Sequence, residues 1–196
     1  MTMLVDREIR TLALAGVPMI DPFDSDCLNP CSYDVKLGMR VLREQDTSSS
    51  SYDPMTRFRD RKNHPVSLWE DRAWEEIDIS GATKDNPLWL WPRQFALGHT
   101  HERFNLPTTV AAQFHLKSSR AREGYGHSLA GLCDPGWRDS SLTLELHAHT
   151  AHTPLPLYPG LRIGQLTFHR LAVEPEFSYA QKGRYNGDHG VQKSKG

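Results

Sequence analysis

The chain is organised around residues 114–165, which read FHLKSSRAREGYGHSLAGLCDPGWRDSSLTLELHAHTAHTPLPLYPGLRIGQ. Near its centre, residues 142–146 (LTLEL) alternate between apolar and polar side chains, and this period of two predicts a β-strand. The leucines would share one face of the strand, while Glu145 would point to the other face. The stretch therefore predicts a carboxylate carried on a rigid strand.

The same stretch begins with cations and hydroxyls. Residues 117–122 read KSSRAR, and side chains of these types can bind several phosphate oxygens at once. Further on, residues 134–137 (DPGW) predict a turn with an acid, Asp134, at its entry. A carboxylate on a strand near a phosphate-binding segment is an arrangement that a nucleotide enzyme would use.

Apolar runs of similar length recur along the chain and predict a mainly β fold. Residues 110–116, 142–148 and 163–171 are strand candidates, at roughly the spacing of an all-β barrel or jelly roll. Residues 5–15 predict one short N-terminal helix, which Asp6 would cap or complement at its start. The expected architecture is a barrel or jelly roll with one helix at its beginning.

Composition places the chain among soluble, single-domain proteins. It has 196 residues, enough for one domain with a sizeable core, and a formal net charge of -1. Because this charge lacks the basic excess of proteins that coat nucleic acid or bind membrane surfaces, we expect neither partner. Three cysteines form an odd count without metal-ligand spacing, and no apolar run predicts a signal peptide or a membrane span. We therefore expect a reduced, cytoplasmic protein.

Two segments have compositions unlike the rest. Residues 45–65 are rich in serine and charge, and they predict a mobile surface loop insertion because they offer little apolar surface to bury. Residues 174–196 contain glycine, tyrosine and cations without an apolar stripe, which by composition alone is typical of a frayed chain end.

Histidines offer an alternative, metal-based chemistry. His147, His149 and His152 form an H-x-H-x-x-H pattern, and His99 with His101 forms H-x-H. On a strand, residues two apart share a face, so either pair could chelate a metal as in a cupin-like barrel. The threonines and prolines around the first cluster indicate a strand end and a loop, which favours exposed or interface histidines instead.

Several motifs occur in an order that resembles a known family. Residues 29–38 (NPCSYDVKLG), 95–103 (FALGHTHER) and 159–166 (PGLRIGQL) are similar to segments of the dCTP deaminase branch of the trimeric dUTPase-like superfamily. The resemblance covers nearly the whole chain. It implies a single domain over residues 1–196 with a dUTPase-like distorted β-barrel or jelly roll, in which residues 174–196 form a flexible lid over the nucleotide.

The resemblance also implies catalytic roles. Glu145 matches the family's catalytic glutamate, which shuttles a proton, and Ser118 matches the serine that helps hold the attacking water. Ala130 matches an alanine whose backbone carbonyl positions that water, and Arg122 matches an arginine beside the glutamate and the phosphates. The family works without zinc, and neither the H-x-E nor the P-C-x-x-C motif of zinc-dependent deaminases occurs here.

Binding roles follow from the same correspondence. Asp134 matches the aspartate that accepts a hydrogen bond from the deoxyribose 3'-hydroxyl. The triphosphate, with a Mg²⁺ ion that bridges its oxygens and is not held by protein side chains, would be bound by Lys117, Ser119, Tyr179, and Lys182 or Arg184. In this family each site lies between neighbouring subunits of a homotrimer, so the resemblance implies a trimer that binds a nucleotide of the dCTP or dUTP type.

The tail departs from the family pattern at one informative position. Residues 184–190 (RYNGDHG) resemble the family's K-Y-x-x-Q-x-G, but Asp188 stands where a base-contacting glutamine is expected. An amide both donates and accepts hydrogen bonds, whereas an ionised carboxylate only accepts them. Together with Leu129, which replaces a threonine common in the family, this departure leaves a modified or different base open.

Our leading interpretation is zinc-independent hydrolysis of dCTP to dUTP and ammonia, which would feed the supply of dUMP and dTTP. Residues 130–134 (AGLCD) resemble the version found in members that also release pyrophosphate and form dUMP, so the bifunctional reaction stays open. Two alternatives also stay open. One is a dUTPase-type pyrophosphatase without deamination, and the other is a regulator that binds dNTPs without turnover.

Overall fold

The described residues of the computed structural model, 2–44, 74–128 and 130–195, fold mainly into β-strands. The strands are β1 (Thr2–Met3), β2 (Ile20–Asp21), β3 (Leu28–Asn29), β4 (Ser32–Lys36), β5 (Arg40–Glu44), β6 (Trp74–Asp78), β7 (Leu88–Leu90), β8 (Phe95–His99), β9 (Arg103–Phe104), β10 (Val110–Leu116), β11 (Tyr125–His127), β12 (Leu132–Cys133), β13 (Thr143–Ala148), β14 (Leu155–Leu157) and β15 (Arg162–Arg170). Within these ranges the helices are α1 (Asp6–Ala13), α2 (Ser118–Glu123) and α3 (Tyr179–Lys182), with a 3-10 turn at Ser25–Cys27. The prediction of a mainly β fold is confirmed.

Two larger sheets share one hydrophobic core. The first has the strand order β12-β10-β15-β4-β3, with β1 also paired to β15, and the second has the order β11-β13-β8-β5-β6. Two short pairs, β14-β7 and β2-β9, lie outside these sheets. Buried side chains of both sheets, such as Val35 and Phe168 in the first and Val41 and Leu144 in the second, belong to a single core cluster.

The period-two alternation found in the sequence corresponds to real burial. β13 places Leu144, Leu146 and Ala148 in the core and leaves Thr143 and Glu145 on the other face, only partly buried. The strand predicted over residues 110–116 has the same bounds in β10, which pairs along its whole length with β15. The strand predicted over residues 142–148 starts one residue later, and the strand predicted over residues 163–171 starts and ends one residue earlier.

The N-terminal helix is present but shorter than predicted. α1 starts at Asp6, and Val5 is the capping residue, whose N–H donates to the Glu8 carboxylate at 3.2 Å. Asp6 is therefore the first helical residue, where its negative charge complements the positive end of the helix. Ile9 and Ala13 are buried and attach the helix to the core.

Of the two segments with unusual composition, the structure describes only the tail. Residues 45–65 lie outside the described part of the chain. The tail is described to residue 195 and packs against residues 135–143 through several hydrogen bonds. Among the helices of the described ranges, none combines the length and the apolar character needed to cross a membrane.

His99, at the end of β8, fills a space that only a glycine leaves open. Its Nδ1 atom lies 2.8 Å from the Thr100 carbonyl, and the Arg40 N–H donates to its Nε2 atom at 3.3 Å, so both ring nitrogens are engaged. A Cβ atom added at Gly38 would lie 2.1 Å from Cε1 of this ring. The imidazole is thus held in place against the backbone of Gly38.

Gly38→Ala should destabilise the protein by about 1–3 kcal/mol, because the new methyl group would overlap a buried ring whose two nitrogens are both engaged with the backbone. The measurement is the free energy of unfolding in urea or the melting temperature. Gly81→Ala is the matched control, since an added Cβ there meets nothing within 4 Å. Equal stability of the two variants would contradict the tight contact between Gly38 and His99.

Candidate active site

Glu145 is carried by the middle of β13 and lies between the core and the surface. Because the strand buries Leu144 and Leu146, Glu145 points to the opposite face, where its side chain is 24% exposed. Its neighbour across the sheet is Leu97 of β8, which is itself buried. Burial raises the pKa of the Glu145 carboxyl from 4.5 to about 7, although a backbone hydrogen bond opposes the shift.

His127 of β11 faces this carboxyl. Its Nε2 atom lies 3.2 Å from Oε2 of Glu145, but the two groups are not aligned as a hydrogen bond. Neither of these two atoms has a hydrogen-bond partner in the described part of the chain. The Phe114 ring packs against the imidazole, with ring centroids 4.4 Å apart. Burial lowers the pKa of His127 to about 4, so the imidazole is neutral at physiological pH.

This pair has the properties of a proton-transfer site. A carboxyl group with a pKa near neutrality can accept a proton and return it within one reaction cycle. Buried polar atoms without hydrogen bonds mark a place where a water molecule or a polar group of a ligand would complete the bonding. The sequence did not indicate His127, because its position depends on the pairing of the three-residue strand β11 with β13.

The backbone that follows β11 is attached to the strand of Glu145. The Ser128 N–H donates to the Glu145 carbonyl at 3.1 Å, and the Ala130 N–H donates to the Ser128 carbonyl at 2.8 Å. Ala130 is exposed, while Leu129 lies outside the described residues. The structure therefore attaches Ser128, two residues before Ala130, to the backbone of Glu145, and the role of the Ala130 carbonyl stays a prediction.

Ser118, Ser119 and Arg122 lie on α2, and all three are exposed. The helix ends at Gly124, whose φ of 101° is in the left-handed region that favours glycine. After this glycine the chain enters β11 directly. α2 therefore precedes the strand that carries His127, so the predicted phosphate-binding segment and the proton-transfer pair are close in sequence and are joined by a tight connection.

Lys117, which immediately precedes α2, forms an ion pair with a buried carboxylate. Its Nζ atom lies 2.5 Å from Oδ2 of Asp34 on β4, and the Asp34 side chain is only 3% exposed. The Asn29 side chain donates a further hydrogen bond to Asp34 at 2.9 Å. The sequence did not indicate this burial, because Asp34 lies between the apolar residues Tyr33 and Val35 and would be expected on the outer face.

Asp134 lines a cavity of about 390 Å³ together with six residues of the tail. Asp134 enters the predicted turn, which is confirmed by the hydrogen bond that the Trp137 N–H donates to the Asp134 carbonyl at 3.1 Å. Tyr179 and Lys182 of α3 belong to the same lining, and the Tyr179 N–H donates to the Pro135 carbonyl at 2.8 Å. The lining is completed by Pro135, Pro175, Phe177, Ser178 and Gly183.

Five of the predicted site residues thus form two groups in one chain. Glu145 and the segment of Ala130 belong to the first group, which also contains His127. Asp134 and Tyr179 belong to the second group, together with Lys182. The lining of the cavity does not include Glu145 or any residue of α2.

Arg184 and Asp188 lie in a loop of the tail that Lys195 closes. The Lys195 ammonium lies 2.8 and 2.6 Å from the two carboxylate oxygens of Asp188, and 3.0 Å from the Arg184 carbonyl. The loop is attached to the body of the fold, since the Ser141 N–H donates to the Asp188 carbonyl at 2.9 Å. Asp188 is therefore paired within the tail, whereas Arg184 is exposed.

Three of the five histidines considered as metal ligands contact each other or the backbone. The rings of His147 and His149 meet edge to face, with centroids 4.3 Å apart, and His99 uses both ring nitrogens for backbone contacts. Across residues 2–44, 74–128 and 130–195, no group of three or more histidine, cysteine, aspartate or glutamate side chains is arranged to hold a metal ion.

These features define a class of protein, a two-sheet β fold whose candidate catalytic carboxyl lies beside a neutral imidazole on neighbouring strands. Comparison with known proteins identifies the family within that class. The sequence model of the dCTP deaminase-like family matches residues 3–171. The chain belongs to the dCTP deaminase-like family.

Relatives match the chain over nearly its whole length. Proteins named "dCTP deaminase, dUMP-forming" from Mycobacterium ulcerans (strain Agy99) and Beutenbergia cavernae are 34% and 36% identical to it, each over 98% of this chain and over 95% and 94% of their own lengths. The crystal structure of 2'-deoxycytidine 5'-triphosphate deaminase from Agrobacterium tumefaciens superposes with a TM-score of 0.61 at 23% identity. That match covers 86% of this chain and 48% of the solved chain, so the chain spans about half the length of that protein, and the likeness shows a shared fold.

Glu145→Gln should make the stability of the protein less dependent on pH. In the unfolded chain this carboxyl loses its proton near its ordinary pKa of 4.5, whereas the folded protein retains the proton up to about pH 7. The free energy of unfolding of the wild type therefore falls as the pH rises from 4.5 to about 7. Above pH 7 the full loss of stability caused by the ionised, poorly solvated Glu145 is present. Melting temperatures of the two proteins should converge at the acid end and differ by a few degrees above pH 7, in favour of the glutamine variant.

His127 lies 3.2 Å from Glu145, so its titration is coupled to the charge of that carboxyl, and the difference between the two proteins reports on the pair. If the difference in melting temperature between wild type and variant is the same at every pH, the pKa of Glu145 is not raised by burial.

Proposed function

We propose that the protein removes the amine from the cytosine ring of dCTP and carries the product on to dUMP, with release of ammonia and pyrophosphate. The observation that carries this proposal is the pair of Glu145 and His127, a partly buried carboxyl with a pKa of about 7 beside a neutral imidazole. Support comes from the relatives that match the whole chain and are named for deamination of dCTP with formation of dUMP.

In the deamination step, a water molecule attacks C4 of the cytosine ring, and the exocyclic nitrogen leaves as ammonia. Glu145 takes a proton from the water and returns it to the departing nitrogen, a role that suits a carboxyl whose pKa lies near the working pH. His127 faces the carboxyl oxygen and can donate or accept a hydrogen bond as the protonation state of Glu145 changes. Ser118 and the Ala130 carbonyl would hold the water, and Arg122 would stabilise the charge that develops beside the phosphates.

We assign the activation of water to Glu145 without zinc, because the sequence lacks both motifs of the zinc-dependent deaminases. In the second step, another water breaks the bond between the α- and β-phosphates, so that one dCTP and two waters give dUMP, ammonia and pyrophosphate. Mg²⁺ would enter with the nucleotide and neutralise part of the phosphate charge. Ser119, Lys182 and Arg184 are the exposed hydroxyl and cationic groups that we assign to the phosphates.

We also propose that a second copy of the chain completes each site in a homotrimer. The residues assigned to the chemistry and those assigned to the sugar form two groups, and the cavity of Asp134 and Tyr179 is not lined by Glu145. A neighbouring copy that brings its own Glu145 towards this cavity would unite the two groups. The tail, which contributes α3 to the cavity, would then act as a lid over the bound nucleotide.

Purified protein incubated with dCTP and Mg²⁺ should release ammonia, dUMP and pyrophosphate in equal amounts. Glu145→Gln should lower kcat by at least about 100-fold, because an amide cannot take the proton from the attacking water. Glu76→Gln is the matched control, since Glu76 belongs to the same sheet and pairs with Arg40 at the surface. This control should keep the turnover of the wild type.

The products distinguish the remaining alternatives. Ammonia with dUTP alone would identify a deaminase that stops after the first step. Pyrophosphate from dUTP, without ammonia from dCTP, would instead identify a dUTPase-type enzyme. Binding of either nucleotide without turnover would contradict the proposed activity and favour a regulator that senses dNTPs.

The value of kcat/KM for dCTP should rise with pH and reach half of its maximum near pH 7, because Glu145 has to be ionised before it can accept a proton from water. Since the phosphates of the nucleotide also titrate, the affinity for dUTP measured over the same pH range is the control. A half-maximum near the ordinary glutamate pKa of 4.5, with constant dUTP affinity, would show that burial does not tune this base.

A further inference from the structure

We propose that Asp34 is a positioning residue for the phosphates of the nucleotide, and that it acts through Lys117. This inference rests on the proposed function, in which Ser118 and Ser119 contact the substrate. It changes the role of Lys117 from a direct phosphate ligand, as the sequence resemblance implies, to an anchor that holds the start of the phosphate-binding segment.

The first observation is the surroundings of the Asp34 carboxylate. The residue lies on β4 and is 2% exposed. Lys117 Nζ lies 2.5 Å from Oδ2, and the Asn29 side chain donates to Oδ1 at 2.9 Å. Arg162 lies further away, with its Nη1 atom 3.9 Å from Oδ2. Lys117 is therefore the cation in direct contact with a buried negative charge.

Charge and burial together keep Lys117 where it is. A buried carboxylate that loses its partner has a large desolvation cost, so breaking such a pair from one side is strongly unfavourable. If the Lys117 ammonium turned towards a phosphate, Asp34 would keep only the neutral Asn29 amide and the more distant Arg162. The ion pair thus competes directly with any phosphate for Lys117.

The backbone of Lys117 is held as firmly as its side chain. Its N–H donates to the Ile163 carbonyl of β15 at 3.1 Å, and its carbonyl accepts from the Ala121 N–H at 3.0 Å, which is a bond of the first turn of α2. The side chain then crosses β15, since β10 and β4 pair with opposite edges of that strand. The residue that follows is Ser118, so the start of α2 is fixed to the sheet by contacts that converge on Lys117.

The test measures the affinity of the full-length protein for Mg²⁺-tripolyphosphate, a probe that reports on phosphate binding without sugar or base, together with kcat and KM for dCTP. Asp34→Asn and Lys117→Met should each weaken the binding of tripolyphosphate by on the order of 10-fold. The double variant should be no weaker than the single ones, because both substitutions break the same anchor.

Lys36→Met is the matched control. Lys36 lies on the same strand as Asp34 and forms an ion pair of the same length, 2.5 Å, with Asp24. This pair is not attached to α2, so its loss should leave the affinity for tripolyphosphate unchanged.

Two outcomes would overturn the proposal while the protein remains an active enzyme. If Asp34→Asn tightens the binding of tripolyphosphate while Lys117→Met weakens it, Lys117 binds the phosphate directly and Asp34 competes with the phosphate for it. If Asp34→Asn lowers the melting temperature but leaves affinity and KM unchanged, the pair is structural. Should Asp34→Asn fail to fold, Asn29→Ser serves instead, because it loosens the carboxylate and keeps both charges. We expect it to weaken binding several-fold, and an unchanged affinity would also overturn the proposal.

Failure of the wild type is a different result. A wild-type protein that neither binds tripolyphosphate nor consumes dCTP would refute the proposed function, and the role of Asp34 with it. A wild type that does both, with variants that bind as it does, would refute only the role of Asp34.

Discussion

The pairing register of β13 is the constraint on which the candidate site depends. Leu144 and Leu146 are completely buried, so the strand cannot slip by one residue without exchanging its core face for its surface face. The same register sets β11 beside β13 and brings His127 to the carboxyl of Glu145. Burial of two leucine side chains contributes roughly 3–6 kcal/mol, which is comparable with the cost of holding one carboxyl in a poorly solvated position. Packing of the core therefore fixes the geometry of the ionisable pair.

Three buried carboxyl groups show how the surroundings of an acid decide its role. Asp34 is held by a cation and an amide, and Glu102, which is 1% exposed, accepts a hydrogen bond from the Lys36 N–H at 3.0 Å. Burial raises the pKa of Glu102 to about 7, as it does for Glu145. A raised pKa alone does not single out the catalytic group. What distinguishes Glu145 is a buried oxygen that has no hydrogen-bond partner among the described residues and faces an imidazole nitrogen that also has none.

The sequence predicted those parts of the molecule that local patterns control. The strand predicted over residues 142–148 is observed from Thr143 to Ala148, because its period of two reports which side chains face the core. The position of His127 could not be predicted, since a three-residue strand is too short to show a period and its place depends on pairing with β13. The burial of Asp34 could not be predicted either, because Lys117, the cation that stabilises the buried carboxylate, is 83 residues away in the chain. Contacts between distant residues therefore supply what the local pattern lacks.

The tail shows how a change of charge at one position can be compensated by a nearby residue. Asp188 is a carboxylate at a position where the family resemblance implies an amide, and Lys195, seven residues further on, contacts both of its oxygens. The Asp188 side chain is only 14% exposed whereas that of Lys195 is 37% exposed, so loss of the lysine would leave a poorly solvated carboxylate. The negative charge at position 188 is thus compensated by a cation that the same segment supplies, and both carboxylate oxygens are engaged within the tail itself.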